Sequence, residues 1–149
     1  HAIWTRVRAL FDDDAMDPAV VLRKRDTTYR KAGLSGPKTR YIKDLARHVV
    51  RGDLVPEELP RMEDDDVVAA LTQVKGIGPW SAQMHLMFSL RRPDVWPVLD
   101  LGVRKGWAKF TGDPEPDART LDPLGEPYRP YRSILAWYMW RVLEVDFEA

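Results

Sequence analysis

Cysteine is absent from this 149-residue sequence. That excludes disulfides, thiolate zinc sites and thiolate-held iron–sulfur clusters, and it suits a reducing compartment. An excess of charge of either sign is lacking too, with 23 basic residues against 23 acidic ones. No strong global field therefore draws the chain to a polyanion, so any grip on one must come from local groups. No apolar run approaches bilayer-spanning length, and the N-terminus lacks a signal-peptide pattern. The expectation is a soluble, cytoplasmic, monomeric protein with no membrane partner, and the Arg, Asp and Pro usage suits a bacterium. There is no internal repeat and no low-complexity tract. The length suits one domain, 1–149, with a real core. His1 leads directly into an amphipathic pattern, which predicts that the chain starts inside a domain.

What is present is helical periodicity throughout. Ile3, Trp4, Val7, Leu10 and Phe11 recur at helical spacing and predict a helix to about Phe11. Asp12 to Asp14 stop that pattern as a solvated helix end or, alternatively, a metal site. Asp17-Pro18 reads as the cap and first turn of a helix reaching about Arg25, and Asp26 as the cap of a short helix ending near Gly33. Gly36-Pro37 opens an amphipathic helix with Tyr41, Ile42, Leu45, Ala46, Val49 and Val50 on one side. Arg40, Lys43, Arg47 and Arg51 lie on the other side, either along a phosphate backbone or simply in solvent. His48 on this helix has no partner at ligand spacing and reads as structural or surface.

Glu63 to Asp66 precede Val67, Ala70, Leu71 and Val74, as an N-cap and acidic first turn would, with a metal site as the alternative. That helix runs into Lys75-Gly76-Ile77-Gly78-Pro79. Two glycines around one apolar residue allow a tight backbone turn, and Pro79 suits the first position of a second helix. Free N–H groups at such a turn, with a helix N-terminus behind them, can hold a phosphate; an ordinary turn between packed helices reads the same way. The second helix, to about Leu90, is apolar on nearly every side and so predicts a central position. His85 on it reads as a satisfied packing histidine or, alternatively, as a contact to a polyanion.

Pro93 and Pro97 hold an extended connector up to Asp100, which precedes a third helix. Asp100 fits an N-cap, a reactive carboxylate, or both. Gly112 to Pro130 predicts one short helix near Asp117 to Leu121, and Pro130 begins a last helix rich in aromatics.

The run VKGIGPWSA, then RPDVWPVLDLGVRKG, and later Tyr128-Arg129-Pro130-Tyr131-Arg132-Ser133 before a Trp-rich helix, resembles the helix-hairpin-helix (HhH-GPD) DNA glycosylase superfamily. Within it the likeness is to the AlkA-like, DNA-3-methyladenine glycosylase II branch, and it covers nearly the whole chain. The resemblance implies an all-α orthogonal helical bundle containing a helix-hairpin-helix motif, with the upstream N-terminal segment of the family missing. That segment carries the family's apolar wedge for rotating a base out of the duplex. The resemblance also implies that Asp100 is the catalytic aspartate. Trp80, Met84, Leu101 and Trp140 would line the base pocket, with core packing as their alternative; tyrosine stands in some relatives where this chain has Met84 or Leu101. Lys75, Gly76, Ile77, Gly78 and Ser81 would meet DNA. The carbonyls of Thr72, Val74 and Ile77 would hold Na+ or K+, and no other cofactor is implied.

The implied partner is double-stranded DNA with an alkylated base, such as 3-methyladenine or 7-methylguanine. Breaking the N-glycosidic bond builds positive charge on the sugar, which a carboxylate stabilises. An N3- or N7-alkylated purine is already cationic and leaves without an added proton, so one carboxylate suffices. Lyase-competent branches carry a nucleophilic lysine where this chain has Trp80, so a monofunctional glycosylase is expected. A non-catalytic helix-hairpin-helix DNA-binding module is the second expectation, and a helical protein-interaction domain the third.

Overall fold

The computed structural model of the chain describes residues 2–11 and 16–145. His1 and the acidic interruption at 12–14 lie outside them. Among the described residues every regular element is helical: nine α-helices and two short 3-10 turns. None of these helices is long and apolar enough to cross a membrane. The chain forms two compact units, His1–Gly78 and Pro79–Ala149.

The first unit holds α1 (Ala2–Arg8), α2 (Pro18–Arg23), α3 (Asp26–Lys31), α4 (Gly36–Arg51) and α5 (Asp64–Thr72). Helix α1 ends at Arg8, short of the expected Phe11, yet Leu10 and Phe11 still pack against the core of Val21, Tyr29 and Ala46. Asp17 caps α2 as expected, accepting the Ala19 amide at 2.7 Å. Asp26 lies inside α3 rather than capping it; Arg25 holds the cap position without a side-chain bond. Buried Tyr29 spends its hydroxyl on the Val21 carbonyl at 2.9 Å, so the core closes without an orphan polar group.

Helix α4 begins behind Ser35 and stops at Gly52, where φ of +77° suits a residue with no Cβ. Its apolar side is less buried than the pattern predicts. Ala46 is in the core, but Tyr41 and Val50 are exposed. Of the basic stripe, Lys43 pairs with Asp26 at 2.6 Å and Arg47 with Asp44 at 3.0 Å, while Arg40 and Arg51 remain exposed. Helix α5 carries Asp64, Asp65 and Asp66 in its first turn. Glu63 stands at the cap with no side-chain bond, and the acids of the first turn lie where the helix dipole favours negative charge.

The second unit holds α6 (Pro79–Phe88), α7 (Leu101–Thr111), α8 (Ala118–Leu124) and α9 (Arg132–Val142). On α6, Ala82, Leu86 and Met87 are buried, whereas Trp80 and Phe88 stay exposed despite the nearly all-round apolar pattern. Asp117 caps α8 through the Thr120 amide at 2.7 Å. Helix α9 starts at Arg132, just beyond the expected Pro130. It buries Ala136 and Met139 and leaves Ile134, Trp137 and Tyr138 exposed.

The 92–100 connector is fastened to the start of α9. Ser133 Oγ donates to the Arg92 carbonyl at 2.7 Å and accepts the Val95 amide at 2.9 Å. Arg132, only 8% exposed, grips both Asp94 oxygens through Nε at 2.7 Å and Nη2 at 2.9 Å. Trp96 is buried with its indole N–H on the Leu121 carbonyl at 3.1 Å. The connector thus has a fixed path to Asp100.

Candidate active site

Asp100 ends that connector and caps α7. Its Oδ1 accepts the Val103 amide at 2.8 Å, so the capping expectation holds. The same carboxylate also receives two indole N–H groups. Trp140 Nε1 donates to Oδ1 at 2.8 Å and Trp80 Nε1 to Oδ2 at 2.7 Å. Asp100 is 9% exposed. Burial pushes its pKa up, and this is the largest single influence. The donors on Trp140 and Trp80 and the Val103 and Gly102 amides together outweigh it, leaving the pKa below the ordinary carboxylate value. Asp100 is therefore a nearly enclosed group that stays ionised.

The structure thus brings Asp100, Trp80 and Trp140 together. The two tryptophans meet the acid through their N–H edges, a role that sequence reasoning missed when it assigned only their ring faces. Trp80 is 47% exposed, and Phe88 stacks on Trp140 with ring centroids 5.8 Å apart. Leu101 is 52% exposed and Met84 partly buried, and neither adds a polar group to the cluster. Ser81 is partly buried. His85 has its pKa lowered by burial, consistent with a neutral packing histidine.

Close approach of α9 to α7 makes the Trp140 contact possible. A Cβ at Gly106 would lie 2.0 Å from the Met139 carbonyl oxygen, and one at Gly102 2.7 Å from the Trp140 ring. Only residues without side chains admit this spacing. Two glycines four apart on one helix face were a readable signal, but their packing partner is remote in sequence.

In the first unit, the Lys75–Gly78 turn is held from α4. Asp44 Oδ2 accepts the Lys75 amide at 2.8 Å, and a Cβ on Gly76, at φ +94°, would strike the Tyr41 ring at 2.3 Å. The Ile77 amide bonds the Val74 carbonyl at 3.0 Å. The amides of Lys75 and Ile77 are therefore spent inside the unit. The expected outward-facing set is reduced accordingly, and Gly76 and Gly78 are the exposed turn residues whose amides can still serve an anion. Asp44 and Tyr41 escaped the sequence reading because neither lies in the motif. His48 packs structurally, its Nδ1 3.0 Å from the Asp44 carbonyl oxygen.

Thr72 turns its hydroxyl back onto the Val68 carbonyl at 2.8 Å, leaving only its main-chain oxygen for a cation. Val74 is buried and Ile77 partly so. Among the described residues no group of three or more His, Asp or Glu side chains is arranged to hold a metal.

The order of elements along the chain, two helices joined by a glycine turn and later a helix headed by an ionised aspartate, is that of a helix-hairpin-helix fold. Residues 1–125 match the HhH-GPD superfamily of base excision DNA repair proteins, and the chain belongs to that superfamily. It is 32% identical over 145 residues to DNA-3-methyladenine glycosylase 1 of Schizosaccharomyces pombe, covering 95% of this chain and 63% of that protein. It is 35% identical over 108 residues to the putative DNA-3-methyladenine glycosylase YfjP of Bacillus subtilis, covering 72% and 38%. These curated relatives are substantially longer than the chain. Among solved structures, the Schizosaccharomyces pombe 3-methyladenine DNA glycosylase in complex with abasic DNA superposes with a TM-score of 0.87 at 30% identity, covering 97% of this chain and 71% of that one. A DNA-3-methyladenine glycosidase from Bacillus halodurans gives 0.84 at 37% identity, covering 94% and 65%.

Proposed function

We propose that this chain is a DNA glycosylase that hydrolyses the N-glycosidic bond of alkylated purines in base excision repair. The observation that carries the reading is Asp100, a carboxylate kept charged in a nearly enclosed setting by N–H donors. As the bond from C1′ to the base nitrogen breaks, its electron pair neutralises the cationic base. Positive charge then develops on the sugar, where a fixed anion lowers the barrier. Water adds to C1′, loses a proton to the carboxylate or to solvent, and an abasic site remains.

Trp80 supports a monofunctional reaction. Its indole nitrogen has no basic lone pair and donates its hydrogen to Asp100, so it cannot attack the sugar as an amine would. Its exposed ring can stack on a cationic base, worth about 0.5–2 kcal/mol. Met84 and Leu101 would add apolar walls. The Gly76 and Gly78 amides, with Lys75 nearby in the chain, would hold a DNA phosphate. The main-chain oxygens of Thr72, Val74 and Ile77 would accept a sodium or potassium ion there, and no other cofactor is required.

The test is release of methylated bases from alkylated duplex DNA by the wild type and by Asp100→Asn. The variant keeps the shape and loses the charge, and release should fall about 10²–10³-fold or more. Equal release from both, or none from either, would instead favour a non-catalytic DNA-binding module. Strand nicking trapped by borohydride would refute the monofunctional assignment.

A further inference from the structure

The acceptors on Asp100 are used unevenly. Oδ1 takes both the Val103 amide and the Trp140 indole at 2.8 Å, Oδ2 takes the Trp80 indole at 2.7 Å, and the Gly102 amide also donates to the carboxylate. A carboxylate oxygen has two in-plane acceptor directions. Two donors occupy those of Oδ1, and the indole of Trp80 takes one on Oδ2. Resting on the glycosylase reading, we propose that Trp80 and Trp140 are positioning residues for Asp100. Trp140, with Val103, anchors Oδ1, and Trp80 fixes Oδ2, so that the carboxylate is held in one orientation toward the sugar.

Three features of the fold support the assignment. The two donors come from different helices, α6 and α9, so together with the α7 amide they fix the carboxylate plane from three directions. Gly102 and Gly106 permit the approach that brings Trp140 within reach. Phe88 stacks on Trp140 and limits rotation of that indole.

Formal charges on the surrounding helices have other partners or settings. On α7, Arg104 bonds the Pro116 carbonyl and Glu115, Lys109 bonds the Val145 carbonyl, and Lys105 is exposed. On α9, Arg132 is taken by Asp94 and Glu126, and Arg141 by Glu144. On α6, burial lowers the pKa of His85. Ionisation of Asp100 is governed by burial against N–H donation, and burial alone would raise its pKa.

Replacing tryptophan by phenylalanine keeps an aromatic ring and deletes the donor. Trp80 is half exposed, so W80F should fold; W140F provides the second arm. The titration of Asp100 can be followed by carbon NMR with labelled aspartate, its signal identified by its loss in D100N. Each variant should raise the Asp100 pKa by about one unit, the scale of one donated hydrogen bond. The acid limb of the base-release profile should move up with it. For W80F, kcat at neutral pH should fall about tenfold while KM stays within about twofold. An unchanged Asp100 titration in both variants, with wild-type activity present, would overturn this proposal and leave the glycosylase reading standing. A wild type that releases no base at any pH would overturn both.

Discussion

Asp94 is bound through both oxygens by Arg132, and Arg129 adds a third contact at 2.7 Å. The pair joins the connector to the start of α9, and the guanidinium is nearly enclosed. Removing this carboxylate breaks the two-point grip on a buried cation and leaves it with the more exposed Glu126. Asp94→Asn should therefore lose about 2–3 kcal/mol in denaturant unfolding at neutral pH. The sign of the pH dependence follows from the lowered pKa of Asp94, caused first by the Arg132 hydrogen bond. A depressed acid contributes fully above its unfolded value and loses that contribution as pH falls through its folded one. The gap between wild type and variant should accordingly shrink below about pH 4. A gap that is constant down to strong acid would count against this account.

At the scale of the element, α7 and α9 pack through a backbone contact that inverts an ordinary rule. Gly to Ala in an exposed helix interior gains about 1 kcal/mol. At Gly106 the added methyl would meet the Met139 carbonyl, and main chain cannot rotate away as a side chain can. Gly106→Ala should destabilise by about 1–3 kcal/mol in thermal unfolding and weaken the Trp140 contact to Asp100, reducing base release. The same elements show what was legible in advance. Asp100 as a cap, Pro79 at a helix start and Asp117 before α8 are local signals that rest on the residue and its near neighbours. The indole donors and the Asp44 and Tyr41 support of the turn are made across long sequence separations. Periodicity can say that Trp140 faces inward, but not that its N–H edge meets a carboxylate. The Tyr41 and Val50 faces of α4, expected inside, lie exposed for the same reason: a pattern shows which side is apolar and not how much of it is covered.

For the molecule as a whole, balanced charge sets the character of any DNA complex. With 23 residues of each sign, and Lys43 and Arg47 already paired, the proposed attraction to DNA would come from local groups, the exposed cations of α4 and the turn with the turn amides, and not from net charge. Neutralising two to four phosphates would give a slope of about −2 to −4 in log affinity against log salt concentration. Duplex binding titrated across salt checks this. A slope steeper than about −6 would require a broader cationic face than α4 and the turn provide.

The narrow gap at Gly102 and Gly106 also bears on how such a sequence can drift. Gly102 cannot grow a side chain while the indole of Trp140 fills the space opposite, and Gly106 cannot while the α9 main chain at Met139 lies against it. Change at Gly102 would therefore have to begin with the tryptophan, whereas Gly106 is tied to the path of α9 whatever residue stands at 140.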